Sequence, residues 1–200
     1  MVFFCRDHAD SLHHQILDGE FECITLSRRT HSVPVDEQSP YSEWLGCSQN
    51  QDVIDCLDGL AELSNFHVSF IVVDHYALNH FWEGRLLAAL PDAKLLVIDD
   101  LADRPHQADL LLDQNFFGEA TEQRYRALLP PQCRQLLGPH YALLGPEYAQ
   151  LHPLVPKRTE LRRVLVFFGG VDPDNLTGRT LEALLDPALA HLEVDVVLGR

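Results

Sequence analysis

The sequence predicts an α/β fold in which helices cover both faces of a parallel β-sheet. Short apolar runs alternate with segments of helical periodicity, and several of these runs end directly in Asp or Gly. The runs are continuously rather than alternately apolar, which is typical of strands buried on both faces of a parallel sheet. The predicted strands are residues 2–5, 23–26, 68–73, 95–98, 110–112, 164–168 and 194–198.

Two segments combine apolar residues with helical spacing, one before the third predicted strand and one before the fourth. Their apolar positions are Val53, Ile54, Leu57, Leu60 and Ala61 in the first segment, and Leu78, Trp82, Leu86 and Ala89 in the second. Asn79 is a favourable N-cap for the second helix, and Pro91 would end it. A further helix is predicted over residues 175–185. The first two stripes are expected to pack on the sheet.

Residues 151–160 differ in composition from the hydrophobic blocks on either side. They combine prolines with charged residues, as interdomain linkers often do. We therefore expect a first domain over residues 1–150, a linker over 151–160, and the beginning of a second domain over 161–200. One strand–helix–strand unit is too small to cover both faces of its own sheet.

Composition and charge exclude several classes of partner. The net charge of -15, without any cluster of Lys and Arg among aromatic residues, argues against nucleic acid and anionic membranes. No apolar run approaches the roughly 20 residues of a membrane helix, so we expect a cytoplasmic protein. A small phosphorylated ligand is compatible with this charge, because helix N-termini bind anions without net positive charge.

Cysteine and histidine spacing predicts neither a metal site nor a disulfide framework. The five cysteines are odd in number and form no Cys-x-x-Cys pair. His75 and His80 are five residues apart, so they would not share a helix face as an i, i+4 pair does. Other histidines have no partner pattern and are expected to be surface or packing residues: His8, His13, His14 and His31.

The strongest local motif leaves a predicted strand at residues 168–177 and enters a helix. Gly169 and Gly170 allow the backbone to approach a ligand closely, Asp172 can cap the helix, and Pro173 suits the first helical position. Free N–H groups of this turn could face a diphosphate. A capped strand-to-helix turn without a ligand explains the same residues equally well.

Polar residues also follow three other predicted strands. Asp74, His75 and Tyr76 come directly after the third strand, where they could perform acid–base chemistry or hold sugar hydroxyls. A helix-capping role for Asp74 is an equally good interpretation. For Asp99-Asp100 and residues 113–115, turn and cap roles are favoured, because Asp is common where a strand hands over to a helix.

Five segments, in this order, resemble the UDP-2,4-diacetamido-2,4,6-trideoxy-β-L-altropyranose hydrolases of pseudaminic acid biosynthesis. They are residues 74–78, 98–106, 112–115, 137–148 and 169–177. The resemblance implies a Rossmann-like, two-domain architecture of glycosyltransferase-B type. It also implies hydrolysis to UDP and the free sugar, by C–O cleavage with inversion, without a metal or other cofactor.

The resemblance assigns roles to seven residues of this sequence. Tyr76 would lie in the active site and support the attacking water or its base, with Asp74 and His75 beside it. The second domain would line the UDP pocket with Gly169, Gly170, Asp172 and Asn175.

The sequence departs from that family at both ends. Family members begin with a strand and a Gly-x-Gly-His loop that supplies the general base, whereas this sequence begins at what resembles their second strand. We therefore expect an interrupted ladder of sheet hydrogen bonds, an incomplete second domain and no catalytic turnover by this polypeptide. Two other functions stay open: glycosyl transfer from the same donor to an acceptor, and a nucleotide-sugar-binding module without catalysis.

Overall fold

The computed structural model describes residues 1–8, 11, 13–27, 40–63 and 67–199, which form an α/β protein with parallel sheets, consistent with a Rossmann-like fold. His31 lies outside these described residues. The chain divides into two units, Met1–Leu143 and Leu144–Arg200, so the predicted linker lies within the second unit. None of the described helices is both long and apolar enough to cross a bilayer.

Strands and helices alternate along the first unit. Its described strands are β1 (Val2–Arg6), β2 (Glu22–Leu26), β3 (Phe70–Val73), β4 (Lys94–Ile98), β5 (Leu110–Asp113) and β6 (Arg134–Leu137). Its described α-helices are α1 (His13–Asp18), α2 (Ser42–Leu45), α3 (Gln49–Glu62) and α4 (His80–Ala89). Short 3-10 helices span Gly118–Gln123 and Pro139–Tyr141.

The strands of the first unit form two parallel sheets. One sheet pairs β1 with β2, and the other has the order β3-β4-β5-β6. Among the described residues, no backbone pairing joins the two sheets. Both sheets nevertheless contribute to one hydrophobic core, to which Leu26 belongs at the end of β2 and Val73 at the end of β3.

The predicted helices before and after β3 are confirmed. Ser48 caps α3 by accepting a hydrogen bond from Gln51 N–H, and Asn79 caps α4 by accepting one from Phe81 N–H. The buried faces are narrower than predicted, since Ala61 and Ala89 are exposed. Gly59 instead lies against the first sheet, where a Cβ would be 3.0 Å from Phe4 and 3.1 Å from Ile24.

Strand β6 is not predicted by the sequence. It lies at the edge of the four-stranded sheet and contains two exposed polar residues, Arg134 and Gln135. These polar residues interrupt the continuous apolar run that identified the other strands, including β3 at the opposite edge.

The second unit contains the two predicted strands as β7 (Arg163–Val166) and β8 (Glu193–Val196), which pair in parallel. The helix predicted over 175–185 is confirmed as α6 (Leu176–Leu184), and α5 (Pro146–Leu151) precedes β7. Short 3-10 helices span His152–Leu154 and Pro187–Leu189. Val166 is buried, whereas Leu165 and Phe167 are 66% and 53% exposed.

Candidate functional site

The carboxyl ends of the parallel strands in the first unit bring polar residues to one edge. Asp74, His75 and Tyr76 follow β3, while Asp99 and Asp100 follow β4. In open α/β sheets, ligands bind outside this edge. The topology therefore places the three predicted catalytic residues where such a fold holds its ligands.

Tyr76 belongs to an aromatic cluster with two residues that the sequence analysis did not single out. Its ring centroid lies 5.3 Å from that of Tyr41 and 6.0 Å from that of Trp44, while the latter two are 5.1 Å apart. Trp44, on α2, is 56% exposed. In the sequence, Tyr41 and Trp44 are aromatic residues in a segment without strand periodicity. No motif connects that segment with Tyr76.

Acidic groups surround the Tyr76 phenol. Desolvation, with hydrogen bonding and electrostatic repulsion from Asp100, raises the pKa of Tyr76 to about 12. The phenol is therefore protonated near neutral pH and can donate a hydrogen bond. Desolvation also raises the pKa of Asp74, with Asp100 adding to the shift and His75 opposing it, although Asp74 is an exposed residue. A carboxylate with a raised pKa is a stronger proton acceptor.

His75 is held in the turn by both sides of its ring. Its Nδ1 accepts a hydrogen bond of 3.0 Å from the Ala77 N–H, and the ring also hydrogen-bonds to the backbone of Trp44. Desolvation lowers the pKa of His75, and the charges of His8 and Arg104 lower it further, while Asp52 and the Trp44 bond oppose the shift. The neutral imidazole thus orients the loop that carries Asp74 and Tyr76.

Asp99 has the turn role expected from the sequence. Its carboxylate accepts a hydrogen bond from the Ala102 N–H at 2.9 Å and pairs with Arg104 at 2.8 Å. The Tyr125 hydroxyl lies 2.9 Å from Asp99 Oδ2 and 3.1 Å from Asp113 Oδ2. This buried network fixes the ends of β4 and β5 beneath the candidate site.

Asn115 connects the loops after β4 and β5. Its side-chain amide donates a 3.0 Å hydrogen bond to Asp100 Oδ2, and its backbone N–H donates to Asp113 Oδ1 at 3.0 Å. Asp113 therefore also forms a turn. Through Asp100, this arrangement supports the position of the Tyr76 phenol.

In the second unit, Gly169 and Gly170 form an open turn after β7. Gly169 has a φ of +86°, which a residue with a Cβ adopts only with strain. A Cβ at either glycine would meet no atom within 4 Å. By contrast, a Cβ on Gly199 would clash with the Gly170 carbonyl oxygen, so the loop after β8 approaches this turn closely.

The first backbone donors of α6 already have protein acceptors. Asp172 accepts hydrogen bonds from Leu176 N–H at 2.8 Å and Thr177 N–H at 2.9 Å, and Asn175 accepts one from Gly178 N–H at 3.2 Å. The two hydrogen bonds with Thr177 make the largest contribution to a lowered pKa of Asp172; desolvation opposes them, and the Leu176 bond adds a smaller lowering. The contacts of Asp172 match the capping role expected from the sequence, but Pro173 lies in the turn before α6 and not at its first position, because the helix begins at Leu176 after Asn175. These bonds leave Gly169 and Gly170 as the candidates for phosphate contact.

Comparison of the sequence with protein-family models gives no match, and neither does comparison with curated proteins.

The predicted site residues fall into two groups. Asp74, His75 and Tyr76 lie together in the first unit, while the four predicted UDP-binding residues lie together in the second.

Proposed function

We propose that the protein binds UDP-2,4-diacetamido-2,4,6-trideoxy-β-L-altropyranose and hydrolyses it to UDP and the free sugar, using an architecture of glycosyltransferase-B type. This proposal replaces the expectation of no turnover, because Asp74 offers a general base in place of the Gly-x-Gly-His histidine. The observation that carries this proposal is that Tyr76 contacts both half-buried Tyr41 and exposed Trp44, while its phenol interacts with the carboxylates of Asp100 and Asp74. We also propose a cytoplasmic location, since that reducing compartment suits the five free cysteines.

The aromatic cluster suits the apolar parts of this sugar. A 2,4-diacetamido-2,4,6-trideoxy sugar carries two acetamido methyl groups and a third methyl at C6, so much of its surface is apolar. Tyr41, Trp44 and Tyr76 present ring faces with polar tips, a combination that serves ligands with mixed surfaces. The neighbouring carboxylates can accept hydrogen bonds from the acetamido N–H groups and the remaining hydroxyl.

Asp74 is best suited to act as the general base. In the proposed reaction, its carboxylate takes a proton from water while the water oxygen forms a bond to the anomeric carbon. The bond between that carbon and the β-phosphate oxygen breaks, and UDP leaves with the electron pair. Attack from the face opposite UDP gives inversion. The protonated Tyr76 phenol orients the water by donating a hydrogen bond, and His75 holds the loop.

For the second unit by itself, we propose that the turn at Gly169 and Gly170 contacts the diphosphate of UDP. The absence of side chains there permits close approach of the diphosphate to backbone N–H groups. Asp172 and Asn175 would act indirectly, by fixing the turn through their bonds to α6. Direct contact between a diphosphate and Asp172 would oppose two negative charges, which favours this indirect role.

A binding module without catalysis is the second candidate function. Two features of His75 favour it: Nδ1 already accepts the Ala77 N–H, and desolvation lowers the pKa of the imidazole, so both oppose its use as a general base. Both candidate functions require UDP-sugar binding, but only the hydrolase converts the UDP-sugar to products.

The test combines a turnover assay with a binding assay on the purified chain. The altrose-configured UDP-sugar is incubated with the protein, UDP is measured by chromatography, and the sugar product is identified by NMR. Asp74→Asn is expected to reduce turnover by about 10²–10⁴-fold, the usual contribution of a general base. Tyr76→Phe removes the hydroxyl alone and is also expected to slow the reaction. Tyr148→Phe, at an exposed tyrosine of α5, is the matched control.

Each outcome separates the candidates. Free sugar with UDP supports hydrolysis, whereas label in an added acceptor supports glycosyl transfer. UDP binding by calorimetry without turnover supports the binding module. Absence of both binding and turnover would refute the proposal as a whole.

A further inference from the structure

One face of the β1-β2 sheet carries two cysteines close together. In the parallel register, Phe3 is paired with Cys23 and Cys5 with Thr25. Because side chains alternate along a strand, Cys5 lies on the same face as Phe3, and therefore on the same face as Cys23. Phe4, on the opposite face, packs towards α3 beside Gly59. The cysteine face is thus separate from the candidate functional site and its core.

His13, the first residue of α1, completes a cluster with these cysteines. One ligand atom each from Cys5, His13 and Cys23 can be chosen so that all three lie within 4.8 Å of one another. Nδ1 of His13 lies 3.1 Å from the Ser11 hydroxyl, while its Nε2 is buried and has no hydrogen-bond partner among the described residues. If Nδ1 carries the proton and donates a hydrogen bond to Ser11, the lone pair of Nε2 faces the protein interior and accepts no hydrogen bond from the described residues.

We infer that Cys5, His13 and Cys23 form a binding site for a thiophilic divalent cation, with Zn²⁺ as the ligand. Two thiolates and one imidazole are a donor set that selects Zn²⁺ over Mg²⁺ or Ca²⁺, which prefer oxygen. In a tetrahedral site, Zn–S and Zn–N bonds of standard length place ligand atoms about 3.5–3.8 Å apart. The cluster therefore needs to contract by no more than roughly an ångström, and water can take the fourth position.

The site needs deprotonated thiols and an oriented imidazole. A bound cation stabilises both thiolates by its charge, so the cysteines bind it without their protons. The Ser11 contact is the kind of outer hydrogen bond that fixes the tautomer of a ligating histidine.

The site joins three consecutive elements of the chain. Cys5 lies on β1, His13 on α1 and Cys23 on β2. The spacing between these residues, seven and nine intervening positions, fits no zinc-knuckle pattern, and the sequence therefore predicted His13 to be a surface or packing residue. Pairing of two adjacent parallel strands creates a proximity that local spacing does not reveal.

The experiment titrates the reduced, metal-free chain with Co²⁺ as a spectroscopic substitute and then displaces it with Zn²⁺. We expect one ion per chain, with a thiolate-to-cobalt charge-transfer band and the intense visible bands of tetrahedral cobalt. Cys23→Ser and His13→Ala should each weaken binding by about 100-fold or more, and Ser11→Ala by about tenfold. The neighbouring His14→Ala and the distant Cys133→Ala are the controls, and both should bind as the wild type does.

A second measurement uses the wild-type chain alone, so that it does not depend on the folding of variants. Zn²⁺ should slow alkylation of Cys5 and Cys23, identified by peptide mass spectrometry. Unchanged alkylation, cobalt binding without a charge-transfer band, or equal affinity of His13→Ala and His14→Ala would each overturn the proposal. So would a Cys5–Cys23 disulfide that persists under reducing conditions, since the thiols would then be unavailable.

Discussion

Replacement of Asp52 by alanine tests how the two sheets of the first unit are held together. Asp52, on α3, is 5% exposed and receives hydrogen bonds from two elements. Arg6, at the end of β1, donates to Oδ1 through Nε at 3.2 Å, and Trp82 Nε1 on α4 donates to Oδ2 at 2.9 Å. The substitution leaves both buried donors without this acceptor.

The expected loss of stability follows from these contacts. Breaking a buried ion pair costs about 3–5 kcal/mol, and loss of a hydrogen bond to a charged acceptor about 1.5–3 kcal/mol, but the two effects overlap. Arg6 keeps Asp55 at 3.0 Å and the Ser27 carbonyl at 2.6 Å, which moderates the cost. Alanine also gains several tenths of a kcal/mol of helix propensity. We therefore expect a net loss of about 3 kcal/mol.

Urea unfolding followed by tryptophan fluorescence measures this loss. Trp44 and Trp82, the two tryptophans of the sequence, both lie in the first unit, so the signal reports that unit. With a slope of about 1–3 kcal/mol/M, the midpoint should fall by roughly 1–3 M. Asp58→Ala, at an exposed position of the same helix, should change stability by less than about 0.5 kcal/mol. A loss below about 1 kcal/mol for Asp52→Ala would refute the reasoning.

Three further predictions concern glycines and one surface ion pair. Gly59→Ala should destabilise the protein by about 1–2 kcal/mol in urea unfolding, because its methyl would meet packed side chains at 3.0–3.1 Å. Gly84→Ala is the control. Its methyl meets only the side-chain end of an exposed glutamine, so it should be neutral or stabilising. If both variants had the same effect, packing would not be the cause. Gly170→Ala should leave stability unchanged, since its methyl meets no atom of the described residues within 4 Å. The methyl should weaken UDP binding in calorimetry by keeping the diphosphate away from the turn. Equal affinity would exclude this turn as the UDP site. Hydrogen bonding to Lys94 lowers the pKa of Asp109. The ionised carboxylate thus stabilises the fold above its unfolded pKa of about 3.9, and this contribution is lost as the pH falls through the lower folded pKa. Lys94→Met should reduce the pH dependence of stability in that acid range, and an unchanged profile would argue against the pair.

Local sequence patterns predicted most of the fold because the relevant interactions are local or periodic. Continuous apolar runs identified the central strands, and the capping role of Asn79 fixed the start of α4. The edge strand β6 was missed for the opposite reason, since Arg134 and Gln135 have the polarity of a loop.

The candidate site was predicted less completely, because its parts come from distant segments. Asp74, His75 and Tyr76 were found from their position after a strand. Tyr41 and Trp44 contact Tyr76 only through tertiary packing, which no motif encodes. The hydrogen bond from the Ala77 N–H to His75 Nδ1 is likewise a property of the folded loop; it gives the imidazole a positioning role, while its catalytic role stays a prediction.

The separation of β1-β2 from β3-β4-β5-β6 also bears on how the first unit opens. No ladder of backbone hydrogen bonds spans the two sheets within the described residues, so one can separate without breaking the hydrogen bonds of the other. Helix α3 resists this opening, because Gly59 lies against the first sheet while Asp52 holds Trp82 on α4. Local opening of such a region exposes its amides to solvent while the rest stays folded. The amide protons of β1 and β2 should therefore exchange with solvent deuterium sooner than those of β4 and β5, which lie inside the four-stranded sheet.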